Sequence, residues 1–131
     1  MKAVVARALA ILLAANALAM LFAGYWWYRA VPGAGATGPF NPHFVKDIGT
    51  AYLAAALGLG WRAASPAAAG PAAIAASFLT LHAFIHLADA AGSPRGLADL
   101  ATAFPGVFVP AVLALWIAWP PRRPDALMET A

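Results

Sequence analysis

The sequence predicts an all-α integral membrane protein, a four-helix bundle running up-down-up-down, with a short interfacial helix before a proline-kinked fourth span. Three observations predict it. First, 63% of the 131 residues are hydrophobic and only 10% are charged, and the mean hydropathy is +0.76. A soluble domain is about half apolar and about a quarter charged, and so small a soluble fold would lack the polar surface to cover itself. Second, four apolar segments each approach the ~20 residues needed to cross a hydrocarbon layer of about 30 Å. Third, the breaks between them are rich in Gly and Pro, and aromatic residues gather at the segment ends. Residues 1–131 then form a single membrane domain.

The first span covers about 4–27, from Val4 to Trp27, with no charge between Arg7 and Arg29. Its N-terminal part competes with a signal-peptide reading, in which Lys2 and Arg7 precede an apolar run and Ala17-Leu18-Ala19. The apolar stretch continues to Tyr28, beyond what such a peptide requires, and this favours a retained span. The second covers about 44–61, with Lys46 and Asp47 in its first turn. The third covers about 71–90, and the fourth about 97–119, bounded by Arg122 and Arg123.

Val31-Pro32-Gly33 through Gly38-Pro39 ends the first helix in a loop. Ser65-Pro66 closes the second. Gly70-Pro71 opens the third, with proline in a first turn where its missing N–H costs nothing. Ser93 is expected to cap the last stretch, with Pro94 its first helical residue. Pro105 and Pro110 each remove a backbone hydrogen bond, which predicts an interfacial helix over about Pro94–Ala103, a kink, and then the span proper. Trp and Tyr favour the headgroup level. Tyr25, Trp26, Trp27 and Tyr28 sit there at the first span, Trp61 at the second, Trp116 and Trp119 at the fourth.

Basic residues near helix ends set orientation. With both termini in the cytoplasm, Lys2, Arg7, Arg62, Arg122 and Arg123 lie inside and Arg29, Lys46 and Arg95 outside, five against three. The Asp125–Ala131 tail is too short to fold alone. The net charge of +3 comes from scattered residues that make no basic patch, so no nucleic-acid partner is expected. The absence of cysteine excludes disulfides, thiolate metal sites and thiol catalysis. Ala54-x3-Gly58 and Ala56-x3-Gly60 are small-residue pairs that let helices approach closely, read as packing within the chain.

All three histidines fall in two short stretches, Asn41-Pro42-His43-Phe44-Val45-Lys46-Asp47 and His82-Ala83-Phe84-Ile85-His86-Leu87-Ala88-Asp89. Residues four apart share a helix face, so His43 aligns with Asp47, and His82 with His86 and Asp89. The second helix begins, and the third ends, at the same membrane face. Three imidazoles and two carboxylates are therefore expected to converge in the outer half of the bundle, His82 roughly 10 Å deeper than Asp89. Intramembrane ionisable groups face the bundle interior and are functional by default. Histidine and carboxylate ligands without sulfur suit zinc, iron, manganese or copper, and one histidine from each helix would suit a haem. His43, His82, His86, Asp47 and Asp89 are the candidate metal ligands, with Asn41, Lys46 and Tyr52 behind them and Thr50 lining the same cavity. The plainer readings are that Asp89 is a solvated helix end, that Lys46 snorkels to the headgroups or neutralises Asp47, and that helix-interior histidines only bond across helices. Asn16, Ser77 and Thr80 read as helix-to-helix hydrogen bonds.

The segment Asn41-Pro42-His43-Phe44-Val45-Lys46-Asp47-Ile48-Gly49-Thr50-Ala51-Tyr52-Leu53 resembles small bacterial four-helix membrane proteins of a loosely DoxX-like kind. In such proteins a similar segment opens the second helix, a histidine pair followed by Asp (here His82, His86 and Asp89) lies in the third, and the fourth contains proline (here Pro105 and Pro110). The resemblance implies a four-helix bundle in the inner membrane and no particular activity. Three functions are open at this point: a membrane protein whose cluster binds a transition metal or haem; an accessory subunit beside a larger membrane protein or in a homo-oligomer; and a transporter or proton-path element in which imidazole and carboxylate relay protons. No Walker loop, dinucleotide fingerprint, nucleophile elbow or HExxH motif points to an enzyme class.

Overall fold

A computed structural model describes residues 1–120. These residues form helices and short connections: α1 (Lys2–Phe22), α2 (Gly24–Ala30), a 3₁₀ turn (Ala34–Thr37), α3 (Pro42–Ala64), α4 (Ala69–Ala91), α5 (Gly96–Ala103), a π turn (Phe104–Phe108) and α6 (Val109–Ala118). Arg122, Arg123 and the Asp125–Ala131 tail lie outside the described residues.

The first apolar segment is two helices rather than the single one expected over 4–27. Ala23 leaves the helical region, at φ −132° and ψ 36°, and α2 restarts at once with Trp27 N–H donating to Ala23 O. The turn aims Trp27 back at α1, where its indole Nε1–H donates to Asn16 Oδ1 at 2.8 Å. No proline marks this break. The loop that follows is pinned by Tyr28, whose hydroxyl donates to Gly38 O at 2.6 Å.

Asn41 starts α3. Its side-chain oxygen accepts from the His43 and Phe44 N–H groups at 3.0 and 3.1 Å, with Pro42 in the first turn, the arrangement that satisfies orphan donors at a helix start. α3 ends at Ser65, as Ser65-Pro66 predicts, and Arg62 closes the turn into α4 by donating from Nη1 to Pro66 O at 2.7 Å.

The start of α5 differs from expectation. Arg95, not Ser93, occupies the cap position, and Pro94 precedes the helix. The Ser93 hydroxyl instead accepts from Arg95 N–H at 3.1 Å and donates to Asp99 Oδ2 at 2.7 Å. The prolines are absorbed differently too. Pro105 lies inside the π turn and Pro110 in the first turn of α6, so α5, the π turn and α6 follow one another without a gap. The whole stretch Gly96–Ala118 has the length and apolarity to cross a membrane. A π turn is rare and occurs mostly as a single-turn bulge inside an α-helix, and here it falls at Pro105, which has no backbone N–H to give.

α1 packs on α3, α3 on α4 and α4 on α6, and α1 meets α6 to close the ring. Neighbours run antiparallel: Gly49 of α3 lies at Met20 of α1 and Gly60 at Ala10, while Gly58 lies at Pro71 of α4. Gly58 and Gly60 thus serve packing within the chain, whereas Ala54 points outward. Leu9, Leu13, Met20, Val45, Tyr52, Leu59, Leu79 and Ile117 fill a core otherwise made of alanines. Three helical stretches are long and apolar enough to span a membrane: Lys2–Phe22, Ala69–Ala91 and Gly96–Ala118. α3 matches α4 in length at 23 residues, but Lys46, Asp47 and Arg62 make it more polar.

Candidate functional site on α3 and α4

Helical spacing decides where each polar side chain goes. On α3 the buried stripe is Val45, Gly49, Tyr52, Ala56 and Leu59, with Ala55 and Arg62 also buried. His43 and Asp47 lie two residues from Val45 and Gly49, about 200° around the helix axis, and so emerge on the far side. There they pair: His43 Nε2 stands 3.4 Å from Asp47 Oδ2, with the two side chains 88% and 61% exposed. Thr50 continues the face, its hydroxyl donating to Asp47 O at 2.7 Å. Lys46 is exposed beside them.

On α4 the buried stripe is Ala72, Ala75, Ala76, Leu79 and Ala83. His82 and His86 lie along its edge toward α3 and are half-buried. Their rings meet edge to face at 4.9 Å. His82 also stacks on Phe78 at 6.0 Å and meets Tyr52 of α3 edge-on at 5.8 Å. Tyr52, 7% exposed, stands edge-on to Phe78 at 5.2 Å. The surroundings of His82 are therefore aromatic rather than ionic. Asp89 is exposed near the end of α4.

The five expected ligands thus separate into an outward pair on α3, an imidazole pair in the α3–α4 seam, and Asp89 alone and exposed near the end of α4. Among the described residues, no group of three or more His, Cys, Asp or Glu side chains is placed to hold one metal ion. The expected convergence fails because the inward face of α3 is set by Val45, Gly49 and Tyr52 and leaves His43 and Asp47 on the other side. Asn41 acts as the α3 cap. Tyr52 is the one α3 residue of the expected set that reaches the α4 histidines.

The isolated polar residues also divide. Asn16 bonds across a helix break, to Trp27. Ser77 donates to Ala73 O within its own helix. Thr80 Oγ1 is buried without a hydrogen-bond partner among the described residues. Sequence reasoning read Arg62 only as an orientation signal and missed its burial, at 9% exposed. Its closeness to Ser65-Pro66 was the only sign that it would fold under the α3–α4 turn. Phe78, which stacks on His82, was missed as well; its position four residues before His82 was the signal.

No protein-family model matches this chain, and neither a curated protein nor a solved structure does.

Proposed function

We propose that this chain is a four-span protein of the bacterial inner membrane with both termini cytoplasmic, acting as an accessory subunit that joins a neighbouring membrane protein through α3. Three of its spans have the length and apolarity to cross. α3 is the fourth because it is as long as α4 and packs antiparallel between α1 and α4. The resemblance to DoxX-like proteins belongs to the same proposal. It agrees with a four-helix inner-membrane bundle and supplies no activity.

One observation carries the reading: the charged face of α3 turns away from its own bundle. Asp47 is the sixth residue of α3, about 7 Å along the axis from Pro42, where ionisable groups ordinarily face protein rather than lipid. Here the protein must come from another subunit. Solubilisation in mild detergent is expected to recover the chain in a complex. Asp47→Leu with His43→Leu should leave the helical content intact and release the lone chain. Wild-type protein that runs as a monodisperse single chain would sink the reading.

A second reading rests on the seam. The His82–His86 pair, walled by Phe78 and Tyr52, has the i, i+4 spacing with which two imidazoles reach one transition-metal ion such as zinc, iron or copper. The remaining ligands would come from outside this pair. A haem iron could take one of these imidazoles. Elemental analysis and an absorbance spectrum of purified protein test it, with His82→Ala and His86→Ala as controls. Metal-free, colourless protein of full helicity would remove it.

A further inference from the structure

We infer that the neighbour on α3 is a second copy of this chain, related by a two-fold axis along the membrane normal. The inference rests on the reading of α3 as a lateral contact and adds the identity of the partner. The surface is complementary to itself in charge.

His43, Asp47, Thr50, Ala54, Leu57 and Trp61 recur at helical spacing along the outward face, and all are exposed. Lys46 and Asp47 lie about 50° to either side of that face's midline, from the 100° turn per residue. A two-fold axis along the normal keeps residues at their own depth and sets one flank of each helix against the opposite flank of its mate. It therefore places each Asp47 opposite the other copy's Lys46, at the same level in the membrane. His43, already 3.4 Å from Asp47 on its own helix, lies at that end too. An unrelated partner would need a matching acid and base at this depth, whereas a second copy supplies them automatically.

The chain has no cysteine, so a single introduced thiol reports on its own position. Full-length Ala54→Cys is oxidised in native membranes, beside Ser77→Cys, which lies on the exposed side of α4. A cross-linked band of two chains is expected for Ala54→Cys and not for Ser77→Cys. Adding Asp47→Lys sets like charges together and lowers the cross-linked fraction roughly tenfold. Co-expressing that variant with a Lys46→Asp form, each carrying Ala54→Cys, restores mixed dimers. Absence of an Ala54→Cys dimer in membranes where the chain is inserted and helical overturns the inference. A photo-reactive residue at position 57 then separates the two failures. A cross-link to a different protein overturns the second copy but keeps the lateral contact, and a cross-link to lipid alone overturns both.

Discussion

At the scale of single residues, one tight feature is glycine at a helix crossing. A Cβ on Gly58 would lie 2.6 Å from the Pro71 carbonyl oxygen, and a backbone atom cannot swing aside. Gly58→Ala is expected to cost about 1–3 kcal/mol, the usual penalty of overpacking, seen as a lower unfolding temperature in detergent. Unchanged stability would mean that α3 and α4 cross less closely. Trp27 gives a complementary case. Trp27→Phe removes the indole N–H that bonds Asn16 and should cost about 1 kcal/mol. Replacing Asn16 by Leu as well should recover most of the loss, because no polar group is then left without a mate. Denaturation of the single and double variants measures both steps. The spacing of His43 with Asp47, and of His82 with His86, was legible from four-residue periodicity. Which way each pair faced was not. In water the apolar face of a helix points inward, but in lipid both faces are apolar, so composition no longer marks the interior. Packing marks it instead, through Gly49 and Gly58, and glycine at one position in an alanine-rich helix is a faint signal.

At the scale of the helical element, ends were easier to read than interruptions. α3 and α4 begin and end within three residues of the predicted bounds, because Asn41-Pro42, Ser65-Pro66 and Gly92 are local punctuation with local physics. The break at Ala23 carries no such mark. It goes with the tertiary bond between Trp27 and Asn16, which no window on the sequence contains. The π turn is intermediate: Pro105 and Pro110 announce a lost backbone bond without saying how the chain absorbs it. The start of α3 offers a direct check on its polar residues. Asn41→Ala removes an acceptor from the His43 and Phe44 N–H groups and is expected to cost about 1 kcal/mol. Those two amides should then exchange with solvent faster while the middle of α3 is unaffected. Asn41→Asp, which keeps the acceptor, should hold their protection. A residue serving a metal site rather than a helix end would show the opposite pattern, with exchange unchanged and metal content altered.

At the scale of the whole molecule, the all-helical plan was legible, with three of the four expected spans long and apolar enough to cross a membrane, because span length and hydropathy are properties of long segments. The site was not, because it depends on the rotation of each helix about its own axis. One consequence of the proposed four-span arrangement does not depend on rotation: the start of α3 and the end of α4 would share a membrane side in either orientation. Charge then chooses the orientation, and the choice is finely balanced. Lys2, Arg7 and Arg62 on one side are matched by Arg29, Lys46 and Arg95 on the other. Arg122 and Arg123 therefore decide it under the positive-inside rule. Ala36→Cys, in the loop before α3, is expected to react with a membrane-impermeant maleimide in spheroplasts. Ala67→Cys, in the turn before α4, should react only once the membrane is opened. Replacing Arg122 and Arg123 with Gln removes the excess and should yield a mixed population in which both positions label. Labelling of Ala67→Cys alone in intact spheroplasts would invert the molecule. The charged end of α3 would then face the cytoplasm, and the self-complementary surface would remain, since a two-fold axis along the membrane normal is indifferent to which side is out.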